Sequence, residues 1–405
     1  MSELVDCINA LSAKDIIKSV AKTANGLPFY LQARTVFSAE YQAVYSALTT
    51  KPSDAIARQQ NIMVGAMIDA GTWAKRDAVY IHAQTINSDG EALLDWKQPA
   101  GGNDLITNGG FDTGAGWVLG AGWAIGGGTL NATATALEAQ QLGVLIPGRM
   151  YRVTFSITDY TAGSVRIKLG GGGGGGTYRS AVDTFTETIF ADGTYLALDG
   201  GAAFTGKIDN VSCIEWTNAT AYNAPAFVAL EGLTGDGATT YIDYNWNPSA
   251  NGVNYTQNGA GIGVYARNDV DEAKHICGIN DAANYLQLAP RNANTSEWSI
   301  NDDGTDDTAA MLDSRGYFIV NRTAAGARAA YKNAVLLATD AQASTGIPDG
   351  NLYGLAINDN GAAASFCTDQ LAALLVGGDL TAGERTAEMN AIEVYMDSNG
   401  KGVIP

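Results

Sequence analysis

A chain of 405 residues with 46% hydrophobic and only 16% charged residues has material for roughly two or three domains with sizeable cores. Its net charge of −18 argues against a nucleic-acid binder, which needs clustered Lys and Arg, and against docking on anionic membranes. The 49 glycines suit many short strands with tight turns, and Cys7, Cys213, Cys277 and Cys367, widely spaced and without a CxxC pair, make neither a zinc knuckle nor a disulfide scaffold.

The N-terminus carries Glu3 and Asp6 and lacks a basic start followed by an apolar run, so no signal peptide is expected. No stretch is apolar for long enough to span a bilayer, so membrane insertion is not expected. Residues 1–71 read as a helical segment. Phe37 to Leu48 forms one helix. Pro52-Ser53-Asp54 starts another, with Ser53 as N-cap, Ile56, Met63 and Met67 on one face and Gly71 as the stop. From Gly101 to Trp216 the composition turns glycine-rich. Tyr151 to Thr158 and Val165 to Leu169 alternate apolar with polar, as half-buried strands do. Gly170 to Gly176 lacks the Lys-Ser/Thr of a phosphate loop and reads as a hairpin loop. From Thr217 onward strands recur, at Thr240 to Tyr244, Gly259 to Tyr265, Gly316 to Val320, Ala334 to Ala338 and Leu352 to Ile357. The end is helical: Thr381 and Glu384 form a capping box, Met389, Ile392 and Met396 share a face, and Asn399-Gly400 stops the helix.

Asn108-Gly109-Gly110-Phe111-Asp112-Thr113-Gly114, followed by Trp117 and Trp123 and closed by Ile208-Asp209-Asn210-Val211, resembles the opening and closing motifs of jelly-roll carbohydrate-binding modules. Leu94-Asp95-Trp96-Lys97, Asn223-Ala-Pro225, Thr234-Gly-Asp-Gly237 and the strand Asp369 to Val376 with its capped helix resemble the concanavalin-like (laminin-G-like) sandwich of bacteriophage virion proteins. In that family the Trp-Lys and Thr-Gly-Asp-Gly motifs usually lie close together in sequence. Here the module-like block separates them, which implies an insertion into a loop. The expectation is a mainly β protein of two sandwich (jelly-roll) domains, one inserted in the other, with an N-terminal helical segment. Its parts are 1–71 for attachment, 72–100 plus 217–405 for the host sandwich, and 101–216 for the inserted jelly roll.

The module resemblance implies a structural calcium where first strand meets last, at Asp112 and Asp209, with Asp standing where the family often has Glu. Sugar binding relies on aromatic faces and polar readers. Candidates are Trp117, Trp123, Tyr160 and Tyr178 with Arg166 and Asn131, and alternatively Trp246, Tyr255 and Trp298 in the host. The aspartates from Asp302 to Asp307 lack EF-hand spacing and read as a solvated turn. His82, in an apolar run, reads as a core residue. No GxSxG, HExxH or Glu-x-Asp-x-x-Glu pattern occurs, so an enzyme is not expected. The virion resemblance implies a surface fibre, spike or decoration component made in the host cytoplasm and present in many copies or as a homo-oligomer. Its implied partners are other virion proteins and host-surface polysaccharide. The rival readings are a capsule depolymerase and a purely architectural subunit.

Overall fold

The computed structural model describes residues 36–405 other than Gly174, together with an antiparallel pair formed by Val20–Lys22 and Pro28–Tyr30. That pair is strand where a helical segment was expected; the other residues before 36, Cys7 among them, lie outside the described residues. The chain is mainly β, as expected, and its sheets are almost wholly antiparallel.

Two sheets form the host. One runs Thr220–Tyr222, Tyr241–Asp243, Tyr353–Gly354, Cys277–Asn280, Tyr285–Asn292, Thr295–Asp302, Asp307–Ala310. The other runs Ala226–Val228, Gly232–Thr234, Gln370–Gly377, Ala260–Ala266, Gly316–Ala324, Ala327–Lys332, Val335–Asp340, and Arg76–Ile81 also pairs with Gln370–Gly377. Side chains of this second sheet alternate between two cores, because successive residues point to opposite faces. Tyr80, Ile262, Val264, Phe318, Val320, Leu374 and Val376 meet the first sheet around Trp246 and Trp298. Val79, Ile81, Tyr265, Tyr317, Ile319 and Leu375 face the other way, onto helices.

Those helices are Ala39–Ala47, Asp54–Asp69 and Ala382–Ser398. Ser38 and Ser53 cap the first two, and Thr381 and Glu384 close the expected capping box on the third. Met63, Val64 and Met67 enter the core beside Ile392, Tyr395 and Met396, while Ile56 is only half-buried. Residues 39–71 are thus a layer of the host. A fully buried ion pair ties helix to sheet: Arg76 Nε donates to Glu388 Oε2 at 2.7 Å, and the Tyr317 hydroxyl donates to Glu388 Oε1 at 2.7 Å.

The block between Gly101 and Trp216 has its own sheet and core. Its long strands, Met150–Leu169 and Leu196–Glu215, each contribute to both layers of a sandwich. The first half of Leu196–Glu215 pairs with Glu138–Gln141 and with residues 164–169; its second half pairs with Leu130–Thr135 and with residues 151–162. The register break between Gly201 and Thr205, with Ala202 and Ala203 at φ 46° and 59°, marks the passage between layers. Leu196, Leu198, Val165 and Ile167 from one layer meet Tyr151, Val153, Phe155 and Ile208 from the other.

The block's ends meet at Asp95. This buried carboxylate accepts from Val79 N at 3.1 Å, Lys97 N at 2.9 Å and Thr217 Oγ1 at 2.6 Å, and Asp95 N donates to Asn218 Oδ1 at 2.7 Å. Burial pushes the Asp95 carboxyl up to about 6. Across the junction, Arg149 Nε donates to Ala250 O at 2.9 Å and Asn251 Nδ2 to Glu215 Oε1 at 2.7 Å.

Candidate functional site

The outer face of one inserted layer holds the strongest candidate. Leu198, Ala139, Ile167 and Val165 point inward, so Asp199, Glu138, Arg166 and Lys168 point outward from the same three strands. They pair across strands: Lys168 Nζ with Glu138 Oε1 at 2.5 Å, and Arg166 Nε with Asp199 Oδ2 at 3.0 Å. Tyr178 joins them from the segment after the glycine run. Its hydroxyl donates to Asp199 Oδ2 at 3.0 Å, and the Arg166 guanidinium stands 4.5 Å from its ring centroid. Loss of solvent and then the Asp199 carboxylate push the phenol up. Tyr178 is 45% exposed.

The glycine run explains this placement. Gly176 N donates to Ile167 O at 2.8 Å and Arg179 exchanges bonds with Val165, so the chain folds back along its own strand. A Cβ on Gly175 would stand 2.7 Å from Arg166 Nη1, and one on Gly201 would stand 2.5 Å from the Tyr178 ring. Beside Asp199 a shallow groove of about 390 Å3 is walled by Val118, Leu119, Leu137, Glu138 and Gln140.

Of the other candidates, Trp117 (8% exposed) and Trp123 (6%) lie in the inserted core. Trp117 packs on Phe111 and donates to Asn108 O; Trp123 packs on Phe204 and donates to Leu137 O. Their faces are covered and offer no platform, which corrects the expectation that they stack on sugar. Half-buried Tyr160 bonds Gly163 O across its own bend. It pairs opposite Gly206, about 20 Å along the strand from Arg166 at the usual rise per residue. Asn131 closes the turn at Ala124, Gly126 and Thr129. Trp246, Tyr255 and Trp298 are host core.

At the implied calcium position, Gly109 abuts the last strand: Val211 N donates to Gly109 O at 2.9 Å, and a Cβ there would meet Val211 O at 1.9 Å. Asp209 Oδ1 stands 4.0 Å from where a Cβ of Gly110 would be. Asp112 is exposed in the loop beyond, which the Asn108 side chain ties to Thr113 and Ala115.

Two motifs have structural explanations. Asp236 of Thr234-Gly-Asp-Gly237 accepts from the backbone of Ala238, Thr239 and Thr240 at 2.8–2.9 Å, which holds its carboxyl below the usual range. A Cβ on Gly235 would meet Cys367 O at 2.0 Å, so this turn must be glycine to pack there. The aspartates from 302 to 307 are dispersed. Buried Asp302 pairs with Arg322 and Arg328, and Asp306 accepts from Gln287 and Ser299. His82 is fully buried, its Nδ1–H donating to Ala92 O, so Nε2 accepts from the Tyr244 hydroxyl.

A second aromatic surface went unread in the sequence. Tyr222 (41% exposed) lies parallel to Tyr241 at 4.6 Å, and Tyr241 touches Tyr353 and Phe366. The signal is the register Tyr222↔Tyr241 between two short strands, which sequence alone does not pair.

No protein-family model matches the sequence, and a search of curated proteins gives no match. Among solved structures, 33% of the chain is similar to the Ruminococcus gnavus IT-sialidase CBM40 bound to alpha2,3 sialyllactose, at 16% identity and a TM-score of 0.27, over 82% of that chain. Another 42% alignment, at 9% identity and a TM-score of 0.29, is to the botulinum neurotoxin serotype D binding domain, of which it spans 46%. Likenesses this distant carry no functional assignment.

Proposed function

We propose that this protein binds glycan without cleaving it, as a multicopy surface component of a phage-like particle that contacts host polysaccharide. The observation that carries the binding reading is the Tyr178–Arg166–Asp199 array. An exposed ring lies beside a guanidinium and a carboxylate already locked by cross-strand pairing, next to an open groove with apolar walls. The ring supplies a stacking face for a pyranose; the charged groups read its hydroxyls. Pre-organised partners lose little freedom on binding. A platform of this size gains a few kcal/mol, which corresponds to about millimolar affinity. Many copies on one particle would convert that into firm attachment, because later contacts are effectively intramolecular. The virion context rests on the sequence resemblance.

A calcium ion at the first-to-last strand junction belongs to the same proposal. Asp209 and Asp112, with loop carbonyls, offer the hard oxygen donors it takes. It would pin the module's two ends together.

The test is retention of a multivalent display on immobilised host polysaccharide, with reducing ends assayed in parallel. Retention that Tyr178→Ala abolishes, without new reducing ends, supports the reading. New reducing ends establish a depolymerase, and no retention leaves an architectural subunit.

A further inference from the structure

Glu272, Cys367 and Asp369 bring a carboxylate oxygen, a sulfur and a second carboxylate oxygen within 4.8 Å of one another, far from the glycan array in sequence. The three are held independently of any ligand. Gly235 N and Gly237 N, from the Thr-Gly-Asp-Gly turn, donate to Asp369 O and Cys367 O at 3.2 and 3.1 Å and clamp that tripeptide. Glu272 Oε1 accepts from Thr368 N at 2.5 Å and from Thr368 Oγ1 at 3.2 Å. One oxygen is left over: Asp369 is 2% exposed, and although the Cys367 thiol donates to its carboxyl group, Oδ1 has no partner from any other residue. Flanking arginines are committed elsewhere, Arg267 to Glu231 at 2.7 Å and Arg291 to Asp269 at 2.9 Å. Two carboxylates are therefore crowded together at a buried site, and among the described residues no cationic side chain forms an ion pair with either.

We propose that Glu272, Cys367 and Asp369 form a binding site for a zinc-class divalent cation. The donor set selects the class. A thiolate with two carboxylates suits zinc, cobalt or cadmium, whereas calcium and magnesium take oxygen donors alone. Three protein ligands leave a fourth position for water on the side of half-buried Glu272. Binding forms a sulfur–metal bond as the Cys367 S–H bond breaks; the proton passes to solvent and no electron is transferred. The cation would cross-link the loop before Cys277–Asn280 to the entry of Gln370–Gly377 and so staple the two host sheets at one end. The motif is invisible to spacing rules because its donors lie on segments almost a hundred residues apart.

The experiment titrates cobalt(II) into the full-length chain. The expected result is one equivalent bound, with a near-ultraviolet thiolate-to-cobalt band that zinc displaces and a melting temperature raised by either metal. Cys367→Ser should abolish the band, which separates this site from the other cysteines. Glu272→Gln, at the half-buried rim and therefore the safer variant to fold, should weaken cobalt binding by at least about tenfold. No band at excess cobalt, a band that survives in Cys367→Ser, or unchanged affinity in Glu272→Gln would overturn the proposal.

Discussion

Two tryptophans and a tyrosine in the same inserted block differ in fate through their neighbours alone. Trp117 and Trp123 find carbonyl partners for their indole N–H groups inside the core, so burial costs them no unpaired donor. Tyr178 follows a glycine stretch that cannot contribute side chains to a core, and its hydroxyl is held at the surface by Asp199. Tyr178→Ala should abolish glycan retention with little change in melting temperature. Trp123→Ala should cost about 3–5 kcal/mol of stability, read by denaturant unfolding, through the cavity it leaves. A retention loss confined to Tyr222→Ala would instead move the binding surface to the host.

At the scale of elements, the joints are polar knots set against apolar layers. Removing one partner of the fully buried Arg76–Glu388 pair leaves an uncompensated charge, so Glu388→Ala should destabilise the helix-covered face by about 3–5 kcal/mol. Denaturant midpoints compared with Arg76→Met/Glu388→Leu, which removes both charges, would check this; the double variant should be far less damaged. At the inserted module's own seam, millimolar calcium should raise the melting temperature of the protein, and Asp209→Ala should remove the increment. An unshifted transition in the wild type would remove calcium from the proposal.

For the whole molecule, separate cores and a hydrogen-bonded junction predict separable folding. A chain lacking 103–216 keeps Asp95, Thr217 and Asn218, and should remain soluble with its β circular-dichroism signal. Aggregation or loss of that signal would show that the host needs its insertion. Buried titratable groups give the stability a pH signature. Burial raises the Asp243 carboxyl to about 6, so the folded chain holds a proton that the unfolded chain releases above about 4. The stability linked to that proton is present in acid and lost as pH rises from about 4 through 6. Wild type relative to Asp243→Asn should therefore lose about 2–3 kcal/mol across that window. His82, held down to about 4 by burial, acts with the opposite sign: its stability is present above about 6.5 and lost as pH falls through 4.

The sequence by itself determined the mainly β class, the helix starts at Ser53 and Thr381 and the alternating strands of the inserted block, because these follow from local backbone chemistry and a period of two or 3.6 residues. It also flagged Tyr178, since a residue beside a glycine run is more often exposed, and Arg166 as a polar partner. Only the tertiary structure decided that Trp117 and Trp123 are core, that Tyr222 stacks on Tyr241, and that Asp199 completes the array. It alone placed Glu272 beside Cys367 and Asp369 and knotted Asp95 to Thr217. The physical reason is common to all of these. Which face of an aromatic ring is covered, and which carboxylates converge, depend on strand register and on layers meeting across long sequence separations, and local pattern carries no information about either.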